Sequence, residues 1–282
     1  MTALIARSPL MTVAEAARVP VAFFRRDRII ETSYRTGFIL RLGSALVTVA
    51  VFFFISHSFG EAAAAQIQQY GGDYFAFVLV GVAMTEFLSQ SVGGLGGSLR
   101  ESQTTGTLEL MLLSPSRLPV LMTSAALWLQ ASAAMGALTY LVAGAFLGAD
   151  FSHADILATA GSLILAMIGF TGMGLLAGAV VIVVKRGNPV GWLLRGASVV
   201  LGGVFYPVEV LPAGLQALAV TLPMTHALTV LRGSILQGKG IGEMLPSFAA
   251  LLVTSVGFFV AGLLACEAAI RYARTDGSLA QY

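Results

Sequence analysis

The sequence is short of charge, cysteine, lysine and histidine, and each shortage excludes something. Charged residues are 11% of its 282 positions, against about 25% in an ordinary soluble domain. That excludes a water-soluble globule of the usual kind. One cysteine, Cys266, excludes an internal disulfide. Lysine occurs twice, as Lys185 before Arg186 and as Lys239 before Gly240. A phosphate-binding loop needs Gly-x4-Gly-Lys-Ser/Thr, in which backbone amides and the lysine hold the phosphates. Neither lysine fits, so no such nucleotide site is expected in this chain. Histidine occurs three times, at His57, His153 and His226. With no acid or cysteine beside His226, no metal site is expected. No nucleophile–base arrangement is present, so no catalytic residue is expected either. Acidic runs, Ser/Gly linkers and long repeats are missing, and no soluble domain fits between the apolar runs.

What remains is apolar. Residues of the hydrophobic class make up 57% of the chain, and the mean hydropathy is +0.86. These values describe an integral, all-α membrane protein. Many of the 32 glycines sit inside apolar runs, where small residues let membrane helices approach closely.

Residues 1–33 do not read as a signal peptide, because Arg18, Pro20 and the cluster Arg25, Arg26, Asp27 and Arg28 break the apolar run. Val13, Ala16, Ala17, Val21, Phe23 and Phe24 predict the apolar side of an interfacial helix, with arginines toward lipid headgroups. A disordered basic tail is the alternative. The rest, 34–282, reads as one membrane domain. Spans are predicted at about 37–56, 74–95, 120–147, 156–184, 192–205 and 248–270. Glu86 lies in the middle of the second span. An intramembrane carboxylate is a functional-site hypothesis by default, set against a structural role bonded to a neighbouring Ser or Thr. Gly93, Gly94, Gly96 and Gly97 suit tight packing or a flexible exit from that span. Gly169, Gly172, Gly174 and Gly178 in the fourth read as a packing face. The fifth span is short and ends in GGVFYPVEVLP, where Pro207 and Pro212 break the helix. That predicts a re-entrant or interfacial segment.

Between the second and third spans lies a polar island, RESQTTGTLELMLLSPSRLPVL, from Arg100 to Leu121. Leu108, Met111 and Leu112 recur at helical spacing, and Pro115 and Pro119 end the element. A short helix at the membrane surface is expected, with a solvated loop as the alternative.

Sidedness follows from Lys and Arg. Fourteen of the 16 fall in the N-terminal region, the island, the 185–195 stretch and the C-terminus. Only Arg232 and Lys239 fall on the other face. Both termini and the island are therefore expected to be cytoplasmic.

The island resembles the cytoplasmic motif of type-2 ABC transporter permeases. Its matching residues are Glu101, Gly106-Thr107-Leu108-Glu109, Leu112-Leu113 and Pro115-Ser116-Arg117. A second stretch is similar to that family's signature after the fifth helix: Gly203, Phe205, Pro207, Leu211-Pro212, Pro223, Thr225-His226 and Leu231-Arg232. The resemblance implies a permease that pairs with an identical or paralogous second permease. It also implies two copies of a separate ATP-binding subunit, which would hold ATP and Mg. No cofactor is expected in this chain and no nucleic acid partner, only membrane lipid. The implied ATPase-coupling residues are Glu101, Thr105, Gly106, Thr107, Leu108, Glu109 and Arg117, with Arg25, Arg26 and Arg28. The implied external gate is Phe205, Tyr206, Pro207, Leu211, Pro212, Pro223, Thr225 and His226. Thr85, Glu86, Gln90 and Gln130 are candidates to line the pathway. A hydrophobic or amphipathic cargo, drug or lipid-like, is expected ahead of a polysaccharide, in a bacterial inner membrane. The alternative is an ion-coupled carrier or channel using Glu86.

Overall fold

The computed structural model describes residues 20–29, 35–67, 73–104, 118–184 and 187–275, and every regular element among them is helical. The helices are α1 (20–29), α2 (Arg35–Ile67), α3 (Tyr74–Thr104), α4 (Leu118–Phe146) and α5 (Ile156–Val184). They continue as α6 (Pro189–Leu201), α7 (Ala213–Ala219), α8 (Pro223–Leu236) and α9 (Leu245–Thr275), with a 3-10 turn at Val208–Val210. Five of them, α2, α3, α4, α5 and α9, are long and apolar enough to cross a membrane. A sixth crossing is available if α7 and α8, bent by 85°, count as one span.

The core lies between α3 and α5. They bury 78% and 67% of their apolar windows, against 11% for α2, 28% for α4 and 22% for α9. The outer helices can therefore meet lipid with Leu, Ile, Val and Phe. On α5 the glycine ladder is buried, as its reading as a packing face requires. A Cβ on Gly172 would run into the Phe258–Phe259 backbone of α9, so only hydrogen lets the two helices touch there.

Four predicted boundaries differ from the observed ones, the last being the sixth span, predicted at 248–270 and observed as α9 over Leu245–Thr275. The first helix continues to Ile67, through the stretch read as a linker. Ala62–Ala65 favour helix strongly enough to extend it. The second helix passes straight through Gly93–Gly97 and reaches Thr104, so those glycines form no flexible exit; Gly94 and Gly96 pack against Leu129 and Asn188, while Gly97 meets open space. The predicted fifth span is α6, with 13 residues. At 1.5 Å per residue it is about 20 Å long, too short to cross about 30 Å of hydrocarbon alone.

Two ends of the bundle are defined by loop contacts. At one, the Asp155 N–H donates to Ser234 O at 2.9 Å, joining the 148–155 turn to the end of α8. At the other, the Asn188 side chain caps α6, its Oδ1 accepting from Gly191 N at 2.8 Å, and abuts Gly96 of α3. The 148–155 turn and the 237–244 connector thus share an end, and the sequence reading also puts both on one face.

Candidate functional site: a clamped segment above a polar stripe

The segment after α6 is held onto α3 by one side chain. Arg232 of α8 is 3% exposed. Its Nη1 donates to Gly203 O at 2.7 Å and its Nη2 to Val204 O at 2.8 Å. Nε and Nη2 also donate to Phe77 O on α3, at 3.2 and 3.1 Å, and the guanidinium carbon lies 3.4 Å from the Phe77 ring centroid. A buried arginine is tolerable only when its charge is solvated by such oxygens and by an aromatic face. Gly203 has φ +78, a backbone conformation that favours glycine. On α3, a Cβ on Gly81 would collide with Val204 O, so the segment rests directly on that helix. The sequence reading placed Arg232 on the outer face by its charge; the structure adds that it is buried and bound to carbonyls.

The predicted gate residues form a compact set around this clamp. Phe205 stacks on Phe52 of α2, with centroids 5.6 Å apart, and its carbonyl lies 3.4 Å from Tyr74 OH. Tyr206 OH donates to Val200 O. Pro207 is buried and precedes the 3-10 turn. Gln216 donates to Glu209 O at 3.1 Å and Leu211 O at 2.8 Å, closing the turn around Leu211 and Pro212. Pro223 opens α8 at a position where its missing N–H does no harm. Thr225 Oγ1 donates to Ala219 O at 2.7 Å, and His226 Nε2 lies 2.9 Å from Val220 O. These contacts fix the sharp bend between α7 and α8. Gly81, Tyr74 and Arg232 belong to the same cluster but were not singled out as gate residues. Only Arg232 had a signal, a cation inside an apolar helical run.

Below Gly81, α3 changes character. Between Phe75 and Gly96 its only residues that are not buried are Thr85, Glu86, Ser89, Gln90, Gly93 and Gly94. They form one stripe at helical spacing, without a single apolar side chain. Glu86 Oε1 accepts from Gln90 Nε2 at 2.9 Å, and Thr85 donates to Gly81 O. Tyr140 of α4 is buried. Arg195 of α6 reaches the Gly93 position at the far end. Gln130 lies apart. It is 3% exposed, accepts from Ser91 at 2.9 Å and donates to Thr171 at 2.6 Å, so it ties α3, α4 and α5 together.

Of the expected coupling residues, Thr105, Gly106, Thr107, Leu108, Glu109 and Arg117 lie outside the described residues. Glu101 is exposed near the end of α3. Arg25, Arg26 and Arg28 are exposed on α1. Arg26 pairs with Asp27 at 2.7 Å and lies over Phe23. Phe24 packs edge-on against Trp128 of α4, centroids 5.1 Å apart, which docks α1 on the bundle. No group of three or more potential metal ligands occurs among the described residues.

The family model of the ABC-2 type transporter matches residues 23–236. No curated protein matches the chain. The match runs from within α1 to the last residue of α8 and contains both motif regions, so the chain belongs to the ABC-2 type transporter family and is a multi-pass membrane component of such a transporter.

Proposed function

We propose that the chain is the permease subunit of an ATP-driven exporter. Two permeases, identical or paralogous, enclose the path, and two copies of a separate ATP-binding subunit drive it. ATP and Mg belong to those partners. Both termini and the 100–121 island face the cytoplasm of a bacterial cell, and the α6–α8 region dips from the outer face as a re-entrant gate. The cargo is hydrophobic or amphipathic.

One observation supports this reading above the others. A single unbroken helix, α3, carries the gate segment at Gly81 and Phe77 and leads directly into the island at Thr104. A rigid helix passes a displacement at one end to the other, so a push on the island moves the surface on which residues 203–205 rest. The test is transport in vesicles reconstituted with the permease and its ATP-binding subunit. Cargo movement should need hydrolysable ATP and should stop with Glu109→Arg. Movement driven by a proton or sodium gradient without ATP would overturn the reading and favour a carrier built on Glu86.

A further inference from the structure

The polar stripe on α3 is out of place in a helix that crosses a membrane. Its apolar window runs Tyr74–Ser98, which puts Glu86 midway. Elsewhere in the bundle the exposed positions are mainly large and apolar, as with Leu40, Val47 and Phe54 on α2 or Val253, Val260 and Leu264 on α9. Facing lipid, Thr85, Glu86, Ser89 and Gln90 would forfeit hydration with nothing in return. They call instead for a hydrated path, a polar ligand or a polar face of the second permease, and the Glu86 carboxylate between the two ends of the stripe favours a ligand. The stripe is bounded at both ends: residues 203–205 sit on Gly81 at one, and the Arg195 guanidinium stands at Gly93 at the other.

We propose that Glu86, supported by Gln90, is the recognition site for the positively charged head of an amphipathic cation. This rests on the exporter reading and narrows its cargo. Glu86 is a carboxylate with no lysine or arginine ion-paired to it among the described residues. Gln90 orients the carboxylate through Oε1 at 2.9 Å. A Cβ on Gly136 of α4 would lie 3.2 Å from Gln90 Nε2, so α4 backs the amide closely and holds it in place. Arg195 lies about 10 Å along the helix from Glu86, seven residues at 1.5 Å each. It repels the cation from the far end of the stripe and favours its seating at Glu86.

The test compares two probes of one shape and opposite charge, tetraphenylphosphonium and tetraphenylborate, in equilibrium binding to the permease purified with its native partners. The phosphonium should bind and the borate should not compete. Glu86→Gln keeps an acceptor for Gln90 and removes the charge. It should weaken phosphonium binding about tenfold or more, as loss of a charge-assisted contact implies, while Glu86→Asp retains part of it. Melting temperature and oligomeric state confirm that the variant is folded and assembled. Absence of phosphonium binding to the unaltered protein, equal binding of the borate, or unchanged binding by Glu86→Gln would each overturn the proposal. Glu86-dependent binding without ATP-driven transport would instead refute the exporter reading and leave the cation site standing.

Discussion

Arg232→Met removes a guanidinium that bridges α8, the 203–204 turn and α3 while keeping most of the side-chain volume. Gly203 O and Val204 O then lose their donor, and no backbone N–H reaches either of them among the described residues. A buried carbonyl left unpaired costs about 1–3 kcal/mol, so the two together cost about 2–6 kcal/mol. Phe77 O keeps its intrahelical donor and adds little. Losing the contact with the Phe77 ring adds about 0.5–2 kcal/mol. The loss is concentrated where the segment rests on α3, so it acts on the gate as well as on stability. The melting temperature in detergent should fall by about 4 °C or more. Labelling of a Tyr206→Cys reporter by an impermeant maleimide should accelerate in the Arg232→Met background, with little interference from Cys266, which is buried. Arg232→Lys should be intermediate, because a single ammonium cannot span three carbonyls in the fork geometry of a guanidinium. A melting temperature within about 1 °C of the parent, with unchanged labelling, would refute the clamp.

Three further outcomes follow from the same geometry. Gly172→Leu should destabilise the α5–α9 contact by about 1–3 kcal/mol through overpacking, read as a lower melting temperature, whereas Gly257→Leu meets open space and should not. Glu109→Arg should leave the permease folded but uncouple cargo-stimulated ATP hydrolysis; normal coupling would remove Glu109 from the contact. In the turn outside the spans, hydrogen bonds from the Ser152 hydroxyl and N–H hold the Asp150 carboxylate below its ordinary value of 3.8. A lowered folded-state value means that its contribution is complete above the ordinary value and fades as pH falls through the lowered one. Ser152→Ala should therefore shift the Asp150 titration upward, as followed by NMR, and an unmoved titration contradicts the assignment.

Much of the bundle was legible because apolar runs of span length admit few alternatives. The fourth span was predicted and observed over 156–184, bounded by a polar turn and by Gly187-Asn188-Pro189. Asp73 caps α3, accepting from Phe75 N at 2.9 Å, and the second span was predicted to begin one residue later. Less legible was α8, whose Thr225, His226, Thr229 and Arg232 obscure a helical pattern that Ala227, Leu228, Leu231 and Ile235 carry. Thr225 and Arg232 are buried, all four bond to backbone carbonyls, and carbonyls leave no mark in a sequence. The same holds for Gly81, whose role depends on Val204 O, 123 residues away. Glu86 and Gln90 could be picked as polar residues within a span. That they share one stripe with Ser89 and Gly93, while Gln130 is consumed by packing, depends on which face of α3 its neighbours leave uncovered.

The central claim is that this chain forms the path and a separate chain supplies the energy. Gentle purification of the tagged permease from its native membrane, followed by mass spectrometry, tests that most directly. The account predicts a protein with a phosphate-binding loop, recovered in equal amount with the permease. Recovery of the permease alone, with transport that ignores ATP and any added ATPase, would contradict it.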